Sequence, residues 1–422
     1  MILLYLIPLF LCAFSLLKKK EIDFYFIYFL SSVIFYYTIF FGFVFHGRLS
    51  GIIDYKTTID PITYIVLSIN LFITFIYLRK GNKDHYRIKI PQKGEKFIMK
   101  IFIIIVFILS IWLGKKYGIF SFRDFDKGDL EDETSVLGAY FKYMALFNFI
   151  YIIVSERIHY SFIWKFLGVF PALTTYLYGN RSYIVIGIIA ISFDFMYRQC
   201  RQQNYTIVQY FAKHKIYVIS ALLFVAFTFI IKGIYYALFA GDYDLVTYRL
   251  TSIEFYQQVA MVSEPNTIMM NLNTIIANNY YVFPSTYLSL WAFFIPFMTD
   301  AINDLMGIPK FTFIFQHDLY ASEGVTNRAS TFIGETYANG NVFMLVIVVT
   351  LFLTLLGYFF KKYKNCESNI TKTTFLLAGI DASFYIQRNS MYFEFSRLRF
   401  YFYIFVLLYL LMILYRNYVS YK

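Results

Sequence analysis

Charged residues are scarce in this chain of 422 residues. Asp, Glu, Lys and Arg make up 15% of it, whereas 59% of the residues are hydrophobic and the mean hydropathy is +0.57. A soluble globular domain has about a quarter charged residues, so the composition excludes an ordinary soluble protein. Apolar runs of about seventeen residues or more recur along the whole length, and they predict an all-α polytopic membrane protein.

Cysteine is also rare, and several catalytic motifs are missing. The three cysteines, Cys12, Cys200 and Cys366, have no metal-ligand spacing and form no obvious pair. The chain has no Gly-rich phosphate loop ending in Gly-Lys, no His-Glu-x-x-His motif and no Gly-x-Ser-x-Gly motif. These absences argue against zinc or redox chemistry and against ATP-driven transport within this chain. We therefore expect neither a cofactor nor a metal site.

The apolar segments predict eleven transmembrane spans. Lys and Arg concentrate in alternate connectors, above all in Arg79–Lys96, which holds seven of them. By the positive-inside rule these connectors are cytoplasmic, which places the amino terminus outside and the carboxyl terminus in the cytoplasm. The net charge of +12 then reflects topology rather than nucleic-acid binding. The predicted spans are Met1–Leu17, Ile22–Phe45, Ile59–Leu78, Phe97–Leu113, Val136–Val154, Phe162–Tyr178, Ser182–Tyr197, Ile216–Phe239, Val342–Phe360, Thr373–Gln387 and Phe400–Tyr415.

The most polar part of the chain lies between the eighth and ninth spans. We interpret residues 1–239 as spans one to eight, 240–341 as a large external loop lying on the membrane, and 342–422 as spans nine to eleven. Such a long loop should be partly helical and should carry the chemistry. Leu245–Val262 has helical spacing and should end at Pro265, and Pro284–Ile302 predicts an interfacial or half-inserted helix.

Arginines are the candidate anion ligands on the predicted external side. Arg181 follows a Gly-Asn turn and precedes Ser182, where a new helix should begin with free backbone N–H groups. Arg249 and Arg328 are the only arginines of the large loop. A guanidinium suits bidentate binding of a diphosphate. The alternatives are snorkelling to lipid head groups and salt bridges to neighbouring carboxylates such as Glu254.

Two groups are candidates for proton transfer. Glu335 lies just before the ninth span, where partial desolvation would raise the pKa of its carboxyl and suit it to act as a base. His317 beside Asp318 is the second candidate, because His titrates near neutrality. A hydrogen-bonded surface group is the alternative for either residue. Asp381 and Lys232 lie inside predicted spans, where ionisable groups are either functional or joined in ion pairs, with each other or with a third residue.

These features together resemble a known family. About eleven spans, one dominant external loop late in the chain, a Gly-Asn-Arg-Ser turn (179–182) and a Ser-x-x-x-Gly-Glu-x-Tyr-x-Asn-Gly stretch (330–340) are similar to the O-antigen polymerases, the Wzy-type oligosaccharide repeat-unit polymerases. The Arg-x10-Gly spacing of some members is not present, since Gly340 lies twelve positions after Arg328.

The resemblance implies a glycosyltransferase of lipopolysaccharide biosynthesis in the bacterial inner membrane. Its donor and acceptor would both be undecaprenyl-diphosphate-linked oligosaccharides on the periplasmic side, with membrane lipid and a chain-length regulator protein as further partners. Undecaprenyl diphosphate is a good leaving group, so no cofactor is required. The implied site roles are diphosphate binding by Arg181, Arg249 and Arg328, proton acceptance by Glu335 or His317, and sugar contacts from Tyr337 and Asn339.

Three other functions remain open. An O-antigen ligase would have the same architecture with lipid A core as acceptor, and sequence separates the two poorly. A flippase for lipid-linked oligosaccharides would need a water-lined cavity and charged residues in several spans. We expect few buried charges here, which disfavours a flippase. A membrane scaffold without enzymatic activity is the fourth interpretation.

Overall fold

The computed structural model of the chain is predominantly helical. It describes residues 1–47, 53–79, 94–116, 136–156, 158–177, 181–216, 241–253, 255, 264–282, 310–320, 331–366 and 368–420, together with positions 223, 234 and 237. A 3-10 turn spans Tyr37–Phe41, and a hairpin pairs β1 (Phe43–Gly47) with β2 (Ile53–Thr58) in antiparallel register. The helices are α1 (Ile2–Leu17), α2 (Phe24–Phe35), α3 (Pro61–Arg79), α4 (Glu95–Lys116), α5 (Val136–Val154), α6 (Phe162–Leu177), α7 (Arg181–Gln202), α8 (Ile207–Lys213), α9 (Tyr243–Thr251), α10 (Glu264–Ala277), α11 (Phe311–Tyr320), α12 (Phe332–Ala338), α13 (Asn341–Asn365), α14 (Asn369–Tyr385) and α15 (Met391–Ser420).

Five helices of the described ranges are long and apolar enough to cross a membrane, namely α3, α4, α7, α13 and α15. Four shorter apolar stretches occur in α1, α2, α5 and α6. Large apolar side chains are exposed along single helix faces. Examples are Leu3, Ile7, Phe10 and Phe14 on α1, and Leu407, Leu410, Leu411 and Leu414 on α15. Exposed apolar faces around a core that contains ion pairs are consistent with the predicted all-α membrane protein.

The second predicted span is shorter than expected. α2 ends at Phe35, and the chain then forms the 3-10 turn, closed by Gly42 in the left-handed conformation, and strand β1. Hydropathy alone could not find this end, because the aromatic and β-branched residues of Phe35–Phe45 are equally apolar in a helix and a strand. Span two is therefore corrected from Ile22–Phe45 to a helix over Phe24–Phe35. Asn273 of α10 holds the end of the hairpin by accepting from the backbone N–H of Asp60 at 2.7 Å.

α14 is the centre of the described structure. Fifteen of its 17 residues are buried, and it packs against α2, α5, α7, α13 and α15. Ser368 caps its amino end by accepting from the backbone N–H of Thr371 at 3.1 Å. The sequence predicted this helix as a span from Thr373 to Gln387. It begins four residues earlier because its polar first turn is buried among other helices rather than exposed to water.

Two further boundaries differ from the prediction. α15 begins at Met391 rather than Phe400, so the charged residues before Phe400 belong to the helix. Pro265 was expected to end a helix over Leu245–Val262, but it lies in the first turn of α10, where its missing N–H costs nothing. α10 is also mostly buried against α2, α3, α12 and the hairpin, so this part of the large loop is integrated into the helical body.

Gly379 on α14 is expected to tolerate no side chain. A Cβ at this position would lie 2.0 Å from Cε2 of the Phe24 ring, which is itself fully buried beside Phe193 and Phe360. Gly379→Ala should therefore lower the free energy of unfolding by about 1–3 kcal/mol, against the usual gain of helix propensity. Denaturation of the purified protein in mixed micelles measures this change.

Gly187→Ala on α7 is the control for that substitution. Its Cβ would meet the edge of Phe149 at 3.0 Å and the tip of Leu146 at 3.1 Å, which small side-chain shifts relieve. An equal loss of stability in both variants would contradict the close packing of α14 on α2.

Candidate functional site

Glu335 lies on the short helix α12, and its side chain reaches the start of α15. One carboxylate oxygen, Oε2, accepts from the backbone N–H of Met391 at 2.6 Å. The side chain is buried, with 1% of its surface exposed. The carboxyl group therefore satisfies a free N–H at a helix amino terminus, where the helix dipole favours negative charge.

The residues before Glu335 explain why α12 forms at this place. Thr331 caps it by accepting from the backbone N–H of Gly334, and the Thr331 hydroxyl is hydrogen-bonded to Tyr36 at 2.9 Å. Gly334 lets α12 approach α10 closely, since a Cβ there would lie 2.7 Å from Ile275. The Gly-Glu-x-Tyr sequence thus fixes the Glu335 side chain between α10 and α15.

Burial changes the acid strength of this carboxyl group. Desolvation raises the pKa of Glu335 to about 8, and the hydrogen bond from Met391 opposes this rise. A carboxyl group with a pKa near the working pH can both accept and return a proton. Glu335 is thus buried, and its burial raises the pKa of its carboxyl group, whereas its role as a base stays a prediction.

Two arginines lie close to the end of α14, Arg388 in the connection before α15 and Arg397 in the second turn of α15. The guanidinium carbons of Arg388 and Arg397 lie 5.7 and 4.6 Å from the ring centroid of Tyr385. Arg388 also forms a salt bridge with Glu264 at the start of α10, and both of these side chains are about one-third exposed. Cation–π contact with one ring brings the two guanidinium groups into the same neighbourhood.

Arg397 forms a salt bridge with one carboxylate, Asp381, and follows a second, Glu394, by one helical turn. Its Nη2 lies 2.7 Å from Oδ1 of Asp381, and the other oxygen of Asp381 accepts from the Tyr401 hydroxyl at 2.8 Å. Glu394, one helical turn before Arg397, is fully buried and accepts from the side-chain amide of Asn389 at 3.0 Å. The third-party ion pair expected for Asp381 is therefore present, with Arg397 as its partner. Lys232 lies outside the described residues.

The "turn cluster" is our name for Glu335, Arg388, Glu394, Arg397 and Asp381. All five lie at the carboxyl end of α14 or the amino end of α15, or contact those ends. The cluster combines a carboxyl group of raised pKa with two guanidinium groups. Glu335 supplies a group that can accept a proton, and Arg388 and Arg397, which lie near the same two helix ends, supply groups that can bind an anion.

Of the residues predicted for the sugar and the base, three lie together and one does not. Tyr337 and Asn339 follow Glu335 on α12 and are buried. The side-chain amide of Asn339 donates to the Glu335 carbonyl at 2.8 Å, which ends α12. His317 lies on α11 with 84% of its side chain exposed, and its Nδ1 lies 3.1 Å from Asp318. α11 reaches the same end of the fold through the 3.5 Å contact of Thr312 with Ser390.

The structure describes only some of the three arginines that were predicted to bind the diphosphate. Arg249 is half-buried in the last turn of α9. Arg181 is the first residue of α7, one residue before the helix start that the sequence predicted at Ser182. Its side chain lies outside the described part of the structure. Arg328 lies outside the described residues altogether. Their gathering around one diphosphate stays a prediction.

No protein-family model, curated protein or solved structure matches the chain. Its chemistry must be inferred from its own residues.

A second set of buried charges lies at the opposite end of α14. Lys372 is fully buried, with its Nζ 2.7 Å from Glu156 and 2.8 Å from Asp194, and Asp194 also pairs with Arg198. In the same region, buried Lys364 lies 3.0 Å from Glu21. Our expectation of few buried charges was therefore wrong. Each of these charged groups is buried together with a partner of opposite charge. A hydropathy value scores each residue alone, without its partner, so it could not predict this burial.

The sequence also contains Asp-x-Asp spacing at residues 124–126 and 242–244, a spacing used by some nucleotide-sugar enzymes. The first lies outside the described residues. In the second, Asp242 caps α9 by accepting from the backbone N–H of Leu245 at 2.9 Å. This structural role accounts for Asp242 without a metal.

Proposed function

We propose that the protein is a membrane glycosyltransferase that polymerises undecaprenyl-diphosphate-linked oligosaccharide repeat units on the periplasmic face of the inner membrane. The observation that carries the proposal is the buried Glu335 carboxyl with its pKa raised to about 8. It lies at the end of α14 that is opposite the lysine-rich end, and the positive-inside rule assigns lysine-rich ends to the cytoplasm. A proton acceptor therefore lies on the side where lipid-linked donors and acceptors meet.

In the proposed reaction, a hydroxyl group at the non-reducing end of one repeat unit attacks the anomeric carbon of another. The bond from that carbon to the diphosphate oxygen breaks, and the electron pair leaves with undecaprenyl diphosphate. Ionised Glu335 takes the proton of the attacking hydroxyl group. Since its pKa is about 8, about a tenth of the Glu335 carboxyl groups is ionised at pH 7, and the ionised form is basic enough to accept the proton.

Arg388 and Arg397 extend the proposal to the leaving group. Charge develops on the diphosphate as it departs, and preorganised guanidinium groups stabilise such charge without reorganisation. Arg388 is the better placed of the two, because 36% of its side chain is exposed whereas Arg397 is largely enclosed by Asp381 and tyrosine rings. Arg181, Arg249 and Arg328 remain in the proposal as further ligands of the same diphosphate.

A flippase is the second candidate, and the buried ion pairs favour it more than the sequence suggested. A transport pathway would require water around such charges. The side chains of Lys372 and Asp194 are fully buried and directly paired, so this ion pair joins two helices rather than lining a water-filled pathway. We therefore place the flippase second and the ligase, which would share the turn cluster, beside it.

Deletion of the gene followed by gel analysis of lipopolysaccharide separates these functions. Loss of a polymerase should leave core with one repeat unit, whereas loss of a flippase or ligase should leave bare core. Normal ladders would contradict all three assignments.

Arg388→Ala should lower the transfer rate at limiting donor by roughly ten- to a hundred-fold, because a guanidinium–diphosphate contact is lost. Glu264→Gln is the matched control, since it breaks the same salt bridge from the other side. If Arg388 serves only to pair with Glu264, the two variants should lose activity equally, and equal losses would remove Arg388 from the site. Initial rates with purified lipid-linked substrate measure the difference.

A further inference from the structure

A cavity of about 520 Å³ opens at the turn between α13 and α14, far from the turn cluster. Lys361, Lys362 and Asn365 from the last turns of α13 line it on one side, and Ser368 and Thr371 from the start of α14 line it on the other. The cavity lies at the far end of α13 from Glu335, since α13 rises 1.5 Å per residue and extends roughly 35 Å from Asn341 to Asn365. The cavity therefore belongs to a different site.

The polar groups of the cavity have the chemistry of an anion site. Both lysines are exposed, so their ammonium groups are available to a ligand. Lys362 lies 5.5 Å from the ring centroid of Tyr358, which also lines the cavity. Ammonium, amide and hydroxyl groups are all donors that a phosphate ester can accept from.

An apolar stripe on α13 leads into this cavity. Ile347, Leu351 and Tyr358 have exposed side chains, with 64% for Leu351 and 50% for Tyr358. Their spacing of four and seven residues places them on one helix face, and the same spacing continues to Lys361 and Lys362. A ligand that follows this face would have an apolar tail beside Leu351 and a charged head at the lysines.

We propose that this cavity binds the phosphate headgroup of an anionic phospholipid whose acyl chains lie along the α13 stripe. A zwitterionic headgroup would bind with less favourable free energy, because its own cationic group is repelled by the two lysines. Inorganic phosphate offers the same charge but has no tail to bury on Leu351 and Tyr358. The site between α13 and α14 would bind phosphatidylglycerol-type lipids from one leaflet of the membrane. By the positive-inside rule that leaflet is the cytoplasmic one.

The test uses purified full-length protein in neutral detergent, titrated with phosphatidylglycerol, phosphatidylcholine or inorganic phosphate. Bound lipid is counted by native mass spectrometry, and the apparent midpoint of thermal unfolding is measured in parallel. Phosphatidylglycerol should bind and raise the midpoint, and the double substitution Lys361→Gln, Lys362→Gln should weaken its binding roughly ten- to thirty-fold.

The chain contains a matched control at the end of α4. Lys115 and Lys116 are likewise exposed, and Lys116 lies 5.9 Å from the ring centroid of Trp112. They share the charge and the aromatic neighbour with the α13 pair but do not line this cavity. Lys115→Gln, Lys116→Gln should leave phosphatidylglycerol binding unchanged. Equal weakening by both double variants, equal binding of phosphatidylcholine, or equal stabilisation by inorganic phosphate would overturn the proposal.

Discussion

Glu335→Gln is expected to lower the rate of repeat-unit polymerisation by roughly 10²- to 10⁴-fold, the usual contribution of a general base. The amide oxygen of Gln can still accept from the Met391 N–H, so the start of α15 keeps its cap. The substitution removes only the ability to take a proton. Cells with this variant should show core with a single repeat unit, and the variant protein should be present in the membrane at normal amounts.

The stability of this variant should move in the opposite direction to its activity. The pKa of Glu335 rises from 4.5 to about 8 on folding, so the unfolded chain ionises first as pH increases. The stabilisation from this group is complete below about pH 4.5 and is lost as pH approaches 8. The parent should therefore lose free energy of unfolding across this window, and Glu335→Gln should not.

Glu95→Gln is the matched control for a capping carboxyl group. Glu95 is fully buried and accepts from the backbone N–H of Ile370 at 3.2 Å and from the Tyr151 hydroxyl at 3.1 Å, at the opposite end of α14. It shares burial and helix capping with Glu335 but lies away from the turn cluster. A normal polymerisation rate in Glu335→Gln, or an equal loss of rate in the two variants, would show that Glu335 only caps the start of α15.

Lys372→Met is expected to destabilise the protein by about 3–5 kcal/mol, the usual effect of removing one partner of a buried ion pair. Lys372 joins the start of α14 to Glu156 after α5 and to Asp194 on α7. Met has a similar volume, so the loss would come from the missing ammonium group between Glu156 and Asp194 rather than from a cavity. Unfolding by SDS in mixed micelles, followed by circular dichroism, measures this free energy.

Lys213→Met provides the comparison at the surface. Lys213 is exposed and donates to the Tyr205 hydroxyl at 2.7 Å. Its substitution should change the free energy of unfolding by less than about 0.5 kcal/mol. A Lys372 variant as stable as the Lys213 variant would show that the buried pairs at this end of α14 do not hold the bundle together.

The sequence was sufficient for most helix positions but not for the way in which they are joined. The predicted span Val136–Val154 coincides with α5, and Ile59–Leu78 differs from α3 by two residues at its start. Long apolar runs leave little choice of backbone structure in a membrane. Glu335 could likewise be singled out, because a carboxylate at the edge of a span is a rare and costly placement.

The arginines of the turn cluster could not be found in this way. Arg388 and Arg397 were taken as connector residues because Glu394, Arg397 and Arg399 lower the hydropathy before Phe400. In the fold, Arg397 belongs to α15 and pairs with Asp381 of α14, whose other carboxylate oxygen accepts from the Tyr401 hydroxyl. That pairing depends on the tertiary position of α14, which no local pattern encodes.

The central claim is that Glu335 exchanges a proton near neutral pH. Difference infrared spectroscopy of the purified protein through a pH titration observes carboxyl groups directly. The account predicts a protonated carboxyl signal that disappears with a midpoint near pH 8, of which one carboxyl component is lost in Glu335→Gln and kept in Glu95→Gln. A carboxyl group that is already ionised at pH 6, or a signal that Glu335→Gln leaves unchanged, would contradict it.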